Sequence, residues 1–202
     1  MSILLRLVSA IALSFAIVAP TAAGPMTTGD RQRLVAHLEM TEAWLVDEVD
    51  GLSDAQLKYR MAPGTWSVMD AVEHLAIAEP QYWKNLQDSL ARPVQPGFKS
   101  KGTDAGILWY GIDRTQRATT GDARVPHGTF PSVKESLASF RQLRATMLEA
   151  ARTSPDDFRG RPLLQSEGTQ DVYQWFLMIS AHAQRHILQI REVKAHAGFP
   201  KS

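Results

Sequence analysis

Two histidines one helical turn apart stand in the stretch DVYQWFLMISAHAQRHILQI, residues 171–190, where the surrounding pattern calls for core residues. At about 100° per residue, Val172, Trp175, Ile179, Ile190 and Val193 form one stripe, and His182 and His186 lie within about 60° of its centre. Both rings are therefore expected to face the interior. A neutral imidazole there needs a donor and an acceptor, or it forfeits about 1–3 kcal/mol for each unpaired group. A shared metal ion removes that cost, because each ring offers one lone pair and keeps one N–H for a further partner. The i, i+4 spacing sets the two side chains one above the other, as a metal-ligand pair on a helix requires. The same spacing suits two hydrogen-bonded core histidines, so the pair alone leaves both readings open.

A third ligand would have to come from another element, and four histidines are available. His37 flanks the apolar stripe of its helix, His127 lies in a Pro/Gly-rich connection, and His196 sits beside a C-terminal stop, where it is expected to be exposed. His74 lies about 120° from the centre of its stripe, on a flank shared with the small residues Ala71 and Ala78. Periodicity does not choose among them. Two more polar residues fall on core faces, Glu79 and Arg144. They are expected either to pair with each other or snorkel to the surface, or to serve as catalytic groups, Glu79 as base or orienter and Arg144 as holder of an anionic substrate. Trp66, just ahead of a helix start, reads as a packing staple, and Trp83 and Trp175 as core. Trp109 and Tyr110, in an otherwise polar connection, are candidates to line or cover a pocket.

The elements that must position these groups are helical. Leu34, Leu38, Leu45 and Val49 mark a first helix over 30–49, and Gly51, a capping pattern at Ser53–Gln56 and the Pro63-Gly64 turn reverse the chain. A second helix starts at Ser67 with Asp70 three residues on, and Pro80 is expected to kink or interrupt it, having no amide hydrogen for the Ala76 carbonyl. Residues 91–131 read as a long connection with room for one short helix at the apolar island Ile107–Tyr110. A third helix carries Val133, Leu137, Phe140, Met147 and Ala151 on one face, and a fourth runs to Gly198 and Pro200. No strand pattern is evident. The fold class is therefore all-α, a four-helix bundle. Its long connection between helices two and three can cross the bundle, so those two helices are expected to run parallel, in an up-down-down-up order.

Composition narrows the function classes. The 202 residues are 44% hydrophobic and 21% charged, which suits one globular domain. The first 23 residues read as a secretory leader, with Arg6, an apolar run from Leu7 to Val18 and small residues before Pro25. Residues 24–202 are then a single exported domain, periplasmic or secreted, with retention of the leader as an anchor the alternative and no stable membrane insertion after cleavage. The chain has no cysteine, which rules out disulfides, thiolate metal sites and cysteine nucleophiles. Its net charge of +1 offers no basic excess for a nucleic acid.

The segments GLSDAQLKYRMAPGTWSVMDAVEHLAIAE and AHAQRHILQIREVKAHAG, together with HGTFPSVKESLASFRQLR between them, resemble the DinB/YfiT-like family of metal-dependent bundle proteins. The shared pattern is a Trp-Ser helix start, a His-Leu about seven residues on, and His-x-x-x-His before a glycine near the end. The resemblance implies a four-helix up-down-down-up bundle with a divalent metal on three histidines, which by position are His74, His182 and His186. Three neutral nitrogens would leave such an ion its full charge and an open coordination position, able to activate water or a thiol. Relatives include transferases that use low-molecular-weight thiols and a thiol-dependent isomerase. The expected function is thus a metal-dependent hydrolase or thiol transferase acting on a small electrophilic substrate. Zn, Ni, Mn and Fe all suit imidazole, and without cysteine any thiol must come as a cosubstrate. The alternative is a cell-envelope protein that binds a metal or small molecule without turnover. A homodimer is compatible with a small bundle, but no face in the sequence marks one.

Overall fold

The computed structural model describes residues 26–116 and 120–201; the leader expected at residues 1–23 lies outside them. Among the described residues there are six helices and no strand: α1 (Thr28–Val49), α2 (Asp54–Lys58), α3 (Val68–Leu90), α4 (Asp104–Ile112), α5 (Val133–Thr153) and α6 (Val172–Lys194). Four of them begin with a reciprocal cap, Thr27 with Asp30, Ser53 with Gln56, Ser67 with Asp70 and Asp171 with Gln174. Each such cap satisfies amides that the first turn leaves without partners and contributes about 1 kcal/mol. No helix among the described residues is long and apolar enough to cross a membrane.

The four long helices α1, α3, α5 and α6 form the bundle, with α1 and α3 each packed on both α5 and α6. Side-chain pairs give their directions. His37 meets Ser180, and Glu48 meets Arg191 and Lys194, so α1 and α6 run parallel. Glu42 meets Arg141 while Arg31 meets the Ala151 carbonyl, so α1 and α5 are antiparallel. His74 meets His182 while Ser89 meets Leu164, so α3 and α6 are antiparallel. The order is up-down-down-up. The 91–131 connection makes the long return, and its apolar island forms α4, which lies along α6. Gly111 permits that approach: a Cβ there would stand 2.8 Å from the Ala181 carbonyl oxygen.

The core divides into two apolar clusters along the bundle. One is built around Leu34, Leu38, Phe158, Phe176 and Ile179, the other around Leu45, Val72, Leu75, Phe140 and Ile190. The helix expected to be kinked or interrupted at Pro80 is not interrupted: α3 runs on through it. Pro80 sits on the exposed side, so its ring projects to water while the buried flanks of α3 pack on α5 and α6. That packing outweighs the about 3 kcal/mol a mid-helix proline costs.

Candidate metal centre

His182 and His186 enter the interior from α6, and His74 reaches them from the antiparallel α3. All three are buried, at 1%, 5% and 9% exposure for His74, His182 and His186. The Nε2 atoms of His74 and His186 each lie 3.1 Å from His182 Nε2, and the three ligand atoms fall within 4.8 Å of one another. His74 Nδ1 is 2.7 Å from the Arg124 carbonyl oxygen and His186 Nδ1 is 2.8 Å from Gln189 Oε1. Both partners can only accept, so both Nδ1 atoms carry the proton and both Nε2 atoms present bare lone pairs. His182 can donate to at most one of them, and its own Nδ1 is buried without a hydrogen-bond partner. At least one 3.1 Å contact therefore sets lone pair against lone pair, a repulsion that a cation between the rings turns into attraction. Tetrahedral ligand nitrogens at about 2.1 Å from an ion stand about 3.4 Å apart, so the observed spacing fits a first-row divalent ion.

Electrostatics keep the donors neutral. Burial pulls His74 below the usual imidazole value and His186 down to about 3. Burial, then the neighbouring His186 and His74, holds His182 well below its usual value too. Neutral imidazole is the form that binds a metal.

The second-sphere contact to His74 depends on the loop before α5. Glu73, next to His74 and buried, accepts backbone N–H bonds from His127, Gly128 and Thr129 at 3.0, 2.9 and 2.8 Å. Burial raises its carboxyl, but these amides outweigh that and hold it below the normal range. One carboxylate thus fastens the loop that brings the Arg124 carbonyl to His74.

The imidazoles form the floor of a cavity of about 280 Å³. Trp66 stacks beside it, with ring centroids 4.8 Å from His74 and 5.8 Å from His186, and Tyr82 presents an edge to His182 at 5.2 Å. Tyr110, Arg114, Arg124, Arg185 and Gln189 also line the cavity. Arg185 holds the end of α4 in place, donating to the carbonyls of Tyr110, Asp113 and Gln116.

The remaining residues singled out from sequence are placed as follows. His37 is occupied elsewhere, with Nδ1 2.7 Å from Ser180 Oγ and Nε2 donating to Gln184 Oε1 at 3.1 Å. His127 is exposed, and exposed His196 bonds the Tyr59 hydroxyl at 2.6 Å. Glu79 and Arg144 are fully buried and pair at 2.6 Å. Neither is among the residues lining the cavity; the two meet as an ion pair, which leaves Glu79 Oε2 and Arg144 Nε and Nη1 buried without hydrogen-bond partners among the described residues. Burial pushes the Glu79 carboxyl up to about 7 against the pull of Arg144. Tyr110 lines the cavity as anticipated, but Trp109 points to solvent at 63% exposure. Trp66 is more than a staple, since it forms a wall of the site.

Three features escaped the sequence reading: Glu73 as loop anchor, the Arg124 carbonyl, and the arginines around the cavity. Arg185 lies about 120° from the centre of the fourth helix's stripe, so helical periodicity does not single it out.

An all-helical up-down-down-up bundle, with three imidazoles from two antiparallel helices converging under a small cavity, defines a bundle protein with a three-histidine donor set. A family model for the DinB superfamily matches residues 33–190, and the chain belongs to that superfamily. Its fold matches YfiT from Bacillus subtilis, described as a probable metal-dependent hydrolase with an unusual four-helix bundle topology. That match has a TM-score of 0.59 at 19% identity and covers 92% of this chain and 97% of the other. No curated protein sequence matches the chain.

Proposed function

We propose that this protein is a metal-dependent enzyme in which His74, His182 and His186 hold one divalent transition-metal ion beneath a cavity that admits a small electrophilic substrate. The observation that carries this reading is the meeting of three neutral Nε2 atoms, 3.1 Å from His182 to each partner, with the outer nitrogens of His74 and His186 committed to other acceptors. Such an ion supplies Lewis acidity and lowers the pKa of water or a thiol presented as nucleophile.

The chain's own groups do the positioning. The Arg124 carbonyl and Gln189 fix the tautomers and ring angles of His74 and His186, which is the usual task of outer-sphere partners. The rings of Trp66 and Tyr82 wall the centre and restrict water. Because the chain has no cysteine, a thiol nucleophile arrives as a low-molecular-weight cosubstrate, and water is the other candidate. The printed description of YfiT supports hydrolysis as the first reaction to assay. Export through the leader would place the reaction in the periplasm or outside the cell.

The test is a panel of esters, epoxides and thiol acceptors, with and without added thiol, presented to metal-loaded protein. Turnover is expected in the wild type and lost in His186→Ala, with helical circular dichroism retained. Equal turnover in the two proteins would remove the reading, and metal uptake without turnover on any substrate class would leave a binding protein.

A further inference from the structure

Among the described residues the cavity wall above the histidines is cationic. Three guanidinium groups line it, those of Arg114, Arg124 and Arg185, against one carboxylate, Glu192. Glu192 is engaged by Arg114 through two 2.8 Å bonds. Arg185 is buried and spends its donors on three backbone carbonyls in and just past the last turn of α4, so it acts as a fixed positive charge. Arg124 is held differently. Among the described residues its side chain makes two long bonds, to Thr120 Oγ1 and Gln81 Oε1, both at 3.3 Å and both to neutral acceptors. Among the described residues neither Arg124 nor Arg185 forms an ion pair with a carboxylate, though Asp113, whose carbonyl Arg185 holds, also feels its charge.

Position makes the difference useful. The Arg124 guanidinium lies over the Tyr82 ring, 5.7 Å from its centroid, and the edge of that ring faces His182. The Arg124 main chain meanwhile holds His74. One residue therefore combines a backbone that aims a ligand with a side chain that extends a planar, weakly committed donor fork into the same cavity. A guanidinium fork matches the two oxygens of a carboxylate or phosphate, and low-dielectric walls focus the field of the neighbouring Arg185 onto the same space. A divalent ion at the histidines would add to that field.

We propose that the substrate is a small organic oxyanion, bound with its carboxylate or phosphate on Arg124 and its reacting group over the three-histidine centre. This inference rests on the reading of the cavity as the reaction site, and it narrows the substrate class from electrophile to anionic electrophile.

Acetate and inorganic phosphate are the probes, titrated by calorimetry into both metal-free and metal-loaded protein. Wild type is expected to bind at least one of them about tenfold or more tightly than Arg124→Gln, the scale of one lost hydrogen bond to a charged group. Arg124→Lys should recover part of the loss, since charge remains and the fork does not. Helical content and metal content should not change in either variant, because the 124 carbonyl is retained. The tighter probe names the acidic group. Equal affinity in wild type and Arg124→Gln, or no anion binding in either metal state, would overturn the inference. The two proposals separate cleanly: Arg124-dependent anion binding in a chain that takes up no metal strikes only the metal-centre reading, and metal uptake with Arg124-independent anion binding strikes only this one.

Discussion

Helix α6 takes part in two clusters of ionisable side chains, three carboxylates around an arginine and three imidazoles, and they are built in opposite ways. At its N-cap, Asp171 joins Asp30 and Asp104 around the guanidinium of Arg159, which bonds them at distances from 2.6 to 3.2 Å and stacks on Tyr173 at 3.6 Å. About three turns further along, His182 joins His74 and His186 with no protein cation between them. The first cluster contains its own counter-charge. Each of its acids lies at the start of a helix, where a carboxylate also meets the positive end of the helix dipole, so Arg159 ties the beginnings of α1, α4 and α6 together. The second cluster aims lone pairs at one another. A structural centre is closed by the protein, whereas on the proposed reading this set is completed by an ion from outside.

The largest effect expected from breaking this contrast is at the closed cluster. Arg159→Met leaves three acids packed without the cation they share, Asp30 alone keeping a second one in Arg33, and should cost about 3–5 kcal/mol in urea unfolding. His182→Leu, by contrast, replaces a buried ring with an unpartnered nitrogen by an apolar one, and the metal-free variant should stay within about 1 kcal/mol of wild type. Equal losses in the two variants would mean the clusters are not different in kind.

Metal addition should be the next largest effect. A divalent ion at a thousandfold its dissociation constant stabilises the folded chain by about 4 kcal/mol, read as a rise in melting temperature that vanishes in His182→Leu.

Helix α4 spans both clusters, with Asp104 on Arg159 at one end and its last carbonyls on Arg185 at the other. Gly111→Ala would push it off α6 at Ala181 and should cost about 1–3 kcal/mol, with amide exchange rising along α4.

The smallest effect is in pH. Because burial depresses all three imidazoles, the unfolded chain takes up protons from about pH 6.5 downward that the folded chain refuses, so their contribution to stability falls as pH drops toward 3. Each histidine contributes at most about 1.4 kcal/mol per pH unit. Asp171, pushed up to about 6 by burial, works in the opposite direction, since the folded chain takes up its proton first. Asp30 is held at about 2, where Arg159 and Thr27 outweigh burial, and loses its contribution only below about pH 4. In the metal-free protein the difference between wild type and His186→Gln isolates the histidine part, and the variant should show the flatter loss of stability between pH 6.5 and 5.

These two clusters were not equally legible in the sequence. His182 and His186 share a face with core residues, so helical periodicity reveals them. His74 sits on the flank of its stripe and was reached only through a family resemblance, because the angle at which α6 approaches α3 is a tertiary property. The Arg159 cluster left no trace: its members at 30, 104, 159 and 171 lie in four separate segments with no common period. The caps at Ser53 and Ser67, the two apolar stripes of α1 and α6 and the short helix around Ile107 could be read because each is set by neighbours within one or two turns. The passage of α3 through Pro80 could not, since a local rule there yields to packing from both sides. The burial of Glu79 and Arg144 could be foreseen from their faces, but their distance from the cavity could not.

The central claim is that His74, His182 and His186 together take up a divalent ion, and elemental analysis tests it most directly. Wild type, His74→Ala and His182→Ala would be loaded in parallel with Zn, Ni, Mn and Fe, desalted and assayed for metal per chain, with helical content checked by circular dichroism. Close to one ion per wild-type chain and little in either folded variant is the expected result; the same metal content in all three proteins would contradict the claim.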